Sequence, residues 1–294
     1  MNVADALRAA AQCLRAGGGS RSPRLDAELL LAAGLGVDRV GLFRSPEREL
    51  SAAEAERFAE FVRRREAFEP VAYICGWRTF RTIDLEVTAA VLIPRPATET
   101  LVDVALELLA EASQGTPEPL VLDVGTGSGC IALALAAENP FVHVVAVDVD
   151  DDALEVARRN VARLGLMGRV DILCSDLFGG LPEAQRFDLI VSNPPYIPAA
   201  EYALLEPNVR DYEPRLALYG GDDGLDVYRR LVPAAGARLR PGGCLAVEVG
   251  KGEAEGVRAL FAATGTYGLA RERPDLEGIP RVVLARRAQA DAGG

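Results

Sequence analysis

The chain has 294 residues, 49% apolar and 26% charged, with 29 Gly and 18 Pro, a composition for one large globular domain or two modest ones that excludes disordered, collagen-like and fibrous classes. Its longest wholly apolar run, residues 130–137, is far below the roughly 20 that cross a bilayer, and Asp5 stands where a secretory signal needs a basic region, so a cytosolic protein with no membrane partner is expected. The net charge of −11 is uneven, with 13 basic and 13 acidic residues up to position 90 but 19 against 30 beyond it, which disfavours a direct nucleic-acid partner.

Residues 1–70 read as a small helical domain. Val3, Leu7, Ala10, Ala11 and Leu14 recur at helical spacing up to the glycine break at 17–19, and a second apolar run, 25–31, follows Ser22-Pro23. Ser51 and Glu54 have the spacing of a capping box, with Phe58, Phe61 and Val62 on one face behind them. Arg63, Arg64 and Arg65 read as a solvated helix end in preference to an anion site. Residues 71–93 change character: β-rich fragments at 73–74, 79–80, 85–87 and 91–93, separated by Gly76 and Asp84, suggest a β-hairpin linker. Pro94-Arg95-Pro96 then halts extension, and Thr98 opens an amphipathic helix to Leu109.

From Leu120 strands and helices alternate, and residues 94–294 are taken as one domain. Strands are expected at 120–123, 142–147, 170–173, 187–191, 244–249 and 282–284. Helices are expected at 130–137, 153–164, 228–239 and 254–263, with a turn at Pro241-Gly242-Gly243. This is the α/β pattern of a parallel sheet covered by helices on both faces, binding ligands at the carboxyl ends of its strands. His143, the only histidine, lies in the apolar run 141–147 and reads as a strand residue without a catalytic part. The five cysteines are single and scattered, which points to reduced thiols over a disulfide or zinc framework.

Three constellations fall at strand ends. Asp123-Val-Gly125-Thr126-Gly127-Ser128-Gly129 joins a strand to a helix, its alternate glycines letting the loop turn tightly and its backbone approach a ligand. Its G-x-G-x-G spacing differs from the dinucleotide G-x-G-x-x-G and resembles the first motif of class I S-adenosylmethionine-dependent methyltransferases; a nicotinamide loop and a structural turn are the alternatives. Asp148 directly follows the next strand, where a carboxylate accepts both ribose hydroxyls, and is favoured over Asp150, Asp151 and Asp152, which read as helix caps. Asp176 and Leu177 follow the third strand, where a class I methyltransferase meets the adenine, the leucine serving as apolar wall.

Asn193-Pro194-Pro195-Tyr196 follows the fourth strand. Prolines donate no backbone hydrogen bond and hold the preceding residue extended, so the turn presents two acceptors, the Asn193 side-chain oxygen and the Pro194 carbonyl. Such a pair suits a planar nitrogen bearing two hydrogens, to which Tyr196 offers a ring face. The lone pair of an amide or aromatic amine is delocalised. Holding both hydrogens fixes its orientation, encourages pyramidalisation and aims it at a methyl carbon without a strong base.

With these motifs in place, the chain resembles the HemK/PrmC family, protein-(glutamine-N5) methyltransferases acting on peptide chain release factors. The likeness covers nearly the whole chain: residues 121–129 and 193–196, SPRLDAELL at 22–30, PVAYICG at 70–76, LIPRP at 92–96 with Thr98-Glu99, YEPRLA at 212–217, and Asp223-Gly-Leu with Tyr228-Arg-Arg. The resemblance implies a seven-stranded Rossmann-like class I sheet behind a helical domain that helps hold the release factor. It implies S-adenosylmethionine bound by Gly125, Thr126, Gly127, Ser128, Gly129, Asp148, Asp176, Leu177 and Asn193. The substrate would be the glutamine of the Gly-Gly-Gln loop, its amide held by Asn193, Pro194, Pro195 and Tyr196. Ala97 and Leu177 depart from the family's usual acid and aromatic. The alternatives are glutamine methylation of a ribosomal protein, N-methylation of an exocyclic amine in DNA or rRNA, and a non-enzymatic regulator, which would need a broken loop or turn.

Overall fold

The helical spacing of the N-terminal residues becomes, in the computed structural model, which describes residues 1–112 and 118–288, a unit of short helices with its own core. This unit comprises Met1–Trp77 with Leu205–Tyr212. Its helices are α1 (Val3–Ala16), α2 (Pro23–Leu35), α3 (Arg39–Arg44), α4 (Ala52–Glu66) and α5 (Val71–Cys75). Val3, Leu7, Leu14, Leu30, Leu31, Phe58 and Ile74 bury against one another. The capping box closes at both ends: Ser51 Oγ accepts the Glu54 N–H at 3.3 Å, and Glu54 Oε2 accepts the Ser51 N–H at 2.9 Å. The arginine run is a solvated end only at Arg63, which is exposed and pairs with Glu60; Arg64 is half-buried against Glu69, and Arg65 is buried and donates to Asp26 Oδ2 at 2.8 Å.

Residues 71–93 divide where a hairpin linker was expected. Tyr73 and Ile74 lie in α5, which ends at left-handed Gly76, and the hairpin is only β1 (Trp77–Phe80) with β2 (Ile83–Glu86). Two large buried side chains one residue apart fit a short helix packed on a core as well as they fit a strand.

The second unit, Arg78–Leu204 and the residues from Glu213 onward, is α/β. After a 3-10 turn at Pro96–Thr98 come α6 (Glu99–Ala112), β3 (Leu120–Val124), α7 (Cys130–Glu138), β4 (His143–Asp148), α8 (Asp151–Arg163), β5 (Val170–Cys174) and β6 (Phe187–Ser192). The short α9 (Ala199–Tyr202) follows; α10 (Pro207–Arg210) belongs to the helical unit. A 3-10 turn at Arg215–Ala217 precedes α11 (Asp226–Arg238), β7 (Leu239–Glu248), α12 (Ala254–Thr264), β8 (Arg271–Pro274) and β9 (Pro280–Arg286). The seven-stranded sheet runs β5-β4-β3-β6-β7-β9-β8. Five strands pair in parallel as expected; β9 runs against them, antiparallel to both β7 and β8, so β8 points the same way as the five and β9 alone makes the sheet mixed. The expected turn at 241–243 lies inside β7, where the register jumps from Phe187↔Leu239 to Leu189↔Cys244 and loops Arg240–Gly243 out of the ladder.

Alternate strand residues feed two cores. Val121, Val144, Ala146 and Val191 pack under α6 and α7, while Leu122, Val124, Val145, Val147 and Ile190 pack under α11 and α12. No helix among the described residues is long and apolar enough to cross a membrane. Strand order reverses at β3, with β4 and β5 on one side and β6 on the other, so the loops leaving β3 and β6 part and open a crevice at their carboxyl ends.

Candidate active site

The loop after β3 leaves its backbone bare. Gly125 and Gly127 take left-handed φ of 73° and 54°, and a Cβ on either would meet no heavy atom within 4 Å, so both present backbone to open space. The loop is tied from behind, with the Gly125 and Thr126 N–H groups donating to the Val147 carbonyl at 2.9 and 3.0 Å. Asp123 Oδ2 accepts the Thr126 hydroxyl at 2.7 Å and the Ala132 N–H at 3.2 Å. The other Asp123 oxygen is buried without a partner among the described residues, and burial pushes this carboxyl up to about 7.

At the end of β4, Asp148 accepts the N–H groups of Gly127 (2.8 Å), Val149 (2.8 Å) and Asp150 (3.1 Å). Burial raises its pKa, and these backbone donors, Gly127 first, work against the rise. Asp150 faces its own helix, capping α8 by accepting the Asp152 N–H at 2.9 Å. Beyond β5, Ser175 donates its N–H to the Asp148 carbonyl at 2.8 Å and its hydroxyl to the Leu177 carbonyl at 2.9 Å, fixing Leu177 at a left-handed φ of 52°. Asp176 pairs with Arg230 of α11 at 2.6 Å, both side chains being more than half exposed.

β6 is locked to β3 where Ser192 Oγ donates to the Val124 carbonyl at 2.7 Å. In the next residue, Asn193 Nδ2 donates to Thr98 Oγ1 at 3.1 Å, which turns the carboxamide so that Oδ1 points the other way. Among the described residues nothing donates to Asn193 Oδ1 or to the Pro194 carbonyl. The turn is braced from outside by residues 220–224: a Cβ on Gly220 would lie 2.7 Å from Tyr196 Cα, and one on Gly224 2.4 Å from the Tyr196 carbonyl oxygen. Only glycine permits that approach.

One cavity gathers Gly125, Thr126, Gly127, Ser128, Asp148, Asp176, Leu177, Asn193, Pro194 and Pro195 on its wall. Two expected residues stand off it. Gly129 closes the loop in front of α7, where a Cβ would lie 2.9 Å from Leu133 Cδ1. The Tyr196 ring packs on the core under α11 and α12 and on the Gly250 backbone, and burial pushes its phenol up to about 12. His143 begins β4, at the opposite edge of the sheet, beside Asp171. Ala90, Val91, Leu92, Pro94 and Arg95, and Pro214, Leu216 and Ala217, also line the cavity, and the two stretches are joined through buried Glu213, which accepts the Ile93 N–H at 3.1 Å and pairs with Arg95.

Sequence reasoning missed four residues here. Thr98 reads as a helix start but anchors Asn193. Asn160 of α8, wholly buried, donates to the Ser128 and Glu86 carbonyls, both at 3.0 Å, and accepts the Glu86 N–H at 2.7 Å. Its signal was a polar residue on the apolar face formed by Val156, Ala157 and Val161. Glu213 had no local signal. Glu248 showed itself only as an acid closing the apolar strand Cys244-Leu-Ala-Val.

Two family models match the chain: the PrmC N-terminal domain over residues 5–76 and the methyltransferase small domain over residues 98–207. A release factor glutamine methyltransferase of Geobacter sulfurreducens is 47% identical over 268 residues, covering 91% of each chain. One of Moorella thermoacetica is 44% identical over 289 residues, covering 98% of this chain and 100% of its own. Among solved structures, a T. thermophilus 16S rRNA N2 G1207 methyltransferase in complex with AdoMet and guanosine is similar at 26% identity and a TM-score of 0.50, covering 72% of this chain and 50% of that one. By this likeness over its whole length, the chain belongs to the release factor glutamine methyltransferase family.

Proposed function

We propose that the chain methylates the side-chain nitrogen (N5) of the glutamine in the Gly-Gly-Gln loop of peptide chain release factors, in the cytosol, with S-adenosylmethionine as donor. The observation that carries this reading is the acceptor pair. Asn193 is anchored through Nδ2, and its Oδ1 and the Pro194 carbonyl are left open at the wall of the cavity formed by the glycine loop. The same wall fits the donor, since Gly125 and Gly127 offer bare backbone and Asp148 offers an oriented carboxylate.

S-adenosylmethionine held there would supply an electrophilic sulfonium methyl, with S-adenosylhomocysteine as the product. Asp148 holds the ribose hydroxyls, and Leu177 with Asp176 flanks the adenine. Asn193 Oδ1 and the Pro194 carbonyl each take one hydrogen of the glutamine amide, so that the nitrogen lone pair faces the methyl carbon. Formation of the carbon–nitrogen bond would be matched by cleavage of the methyl–sulfur bond, and one of those amide hydrogens would pass to solvent as a proton. Pro195 stiffens the turn. Tyr196, whose ring packs on the core away from the cavity wall, braces the turn, and burial keeps its phenol neutral.

A second reading, methylation of an exocyclic amine, draws on the similar enzyme solved with guanosine, because a base amine offers the same two hydrogens. The acidic balance of residues 91–294 opposes it. Labelled S-adenosylmethionine incubated with the chain and a purified release factor should place label on the Gly-Gly-Gln glutamine; label on a ribosomal protein or on rRNA instead rejects the first reading. Asn193→Ala should leave cofactor binding measurable by calorimetry and lower single-turnover rates by about a hundredfold or more, as for loss of one preorganised polar contact.

A further inference from the structure

Glu248 is the most unusual charge in the α/β unit. It ends β7 one step beyond the Ser192↔Val247 pair, which puts it level with Asn193, the first residue after the neighbouring strand β6. Its side chain is wholly buried, and neither carboxylate oxygen closes a hydrogen bond of normal geometry among the described residues. The Thr98 hydroxyl faces it closely enough to favour its charged form. The same hydroxyl oxygen accepts from Asn193 Nδ2 at 3.1 Å. Glu248, Thr98 and Asn193 therefore stand in a row that ends at the open Asn193 Oδ1.

A hydroxyl has one hydrogen and two lone pairs. When Thr98 gives its hydrogen to an ionised Glu248, its oxygen is left to accept, and Asn193 must turn its NH2 toward it and its oxygen toward the cavity. When the Thr98 hydrogen turns to Asn193, the carboxamide reverses and meets a substrate NH2 with its own NH2, donor against donor. We propose that Glu248 is a positioning residue for the methyl-accepting amide, acting through Thr98 to set which end of the Asn193 carboxamide faces the substrate. The inference rests on Asn193 and Pro194 being the acceptor pair.

The proton on Glu248 then matters. Burial raises this carboxyl to about 7, against the Thr98 hydroxyl and the charges of Arg281 on β9 and Arg95 before α6. Tyr196, Tyr228 of α11 and Cys130 of α7 also face it, each with its pKa raised so that it stays neutral. A protonated Glu248 donates to Thr98 and frees the Thr98 hydrogen for Asn193. Turnover should thus fall as pH falls through about 7.

The test uses the full chain with a purified release factor, measuring kcat, KM, cofactor affinity and melting temperature from pH 5.5 to 9. Glu248→Leu and Thr98→Val should each lower kcat at least tenfold at pH 8.5 while cofactor affinity stays within threefold, and the double variant should lose little more than either. Glu248→Gln, which still accepts from Thr98 but does not titrate, should restore most of the turnover lost in Glu248→Leu and abolish the fall in kcat below pH 7. Wild-type kcat in Glu248→Leu, an acid limb persisting in Glu248→Gln, or losses of kcat and cofactor affinity in step overturns the inference. Asn193→Ala separates the two failures: if it retains turnover, the acceptor pair itself is wrong, whereas if it is inactive beside a fully active Glu248→Leu, only the role of Glu248 falls.

Discussion

Three backbone N–H groups converge on the Asp148 carboxylate, and one of them, from Gly127, belongs to the loop that would bear the cofactor. The residue therefore holds the loop beneath it, and under the proposed function the same carboxylate would meet the ribose. Asp148→Ala should weaken cofactor binding by about ten- to a hundredfold, since a hydrogen bond to a charged group is worth roughly 1.5–3 kcal/mol. Asp150→Ala, which removes only a helix cap, should leave that affinity within about twofold and lower stability by about 1 kcal/mol. Calorimetry on the two variants decides which acid serves the ribose. Asp148 was legible because an acid directly after an apolar strand has one natural place, the carboxyl edge. Thr98 and Glu248 were not, because each owes its part to a neighbour about 100 residues or more away in the chain: Asn193 for Thr98, and Thr98 for Glu248.

Elements were legible where burial imposes a period. β3, β4 and β6 bury both faces, and their continuous apolar runs marked them. β8 escaped because Arg271-Glu-Arg-Pro274 is an edge strand pairing only with β9, and edges are commonly charged and proline-bearing. One buried polar side chain ties α8 to two neighbours at once. Asn160 joins it to the β2 backbone at Glu86 and to the glycine loop at Ser128. Asn160→Ala leaves one buried and two partly buried backbone groups without this partner, and at 1–3 kcal/mol for a buried unsatisfied group the loss should be about 3 kcal/mol. Thermal melts should show it, with weaker cofactor binding alongside because the Ser128 carbonyl is freed.

For the molecule as a whole, the buried acids set the response to pH. Asp123 and Glu248 have folded values near 7, against ordinary values of 3.8 and 4.5, and Glu253 is raised to about 7 as well. The folded chain thus holds more protons than the unfolded one across that window, so the stability these groups contribute is full below about 4 and is lost as pH rises through about 7. Glu54 and Asp223, held near 2 with arginine as the leading cause, lose their contribution only as pH falls toward 2, outside that range. Without cofactor the melting temperature should fall by roughly 5 °C or more between pH 5 and pH 8, and Asp123→Asn should flatten part of the slope. Stability and turnover then favour opposite sides of neutrality.

The chain visits the helical unit twice, returning for Leu205–Tyr212 after the acceptor turn, where Arg21 pairs with Glu206 and the Tyr212 hydroxyl donates to the Ala67 carbonyl. No single cut parts the two units. Cleavage after Trp77 would leave the released fragment still gripping that returning segment. A gene shortened to begin at Arg78 would encode an orphaned stretch only nine residues downstream of Tyr196, so amputating the helical part is not a neutral way to obtain a minimal enzyme.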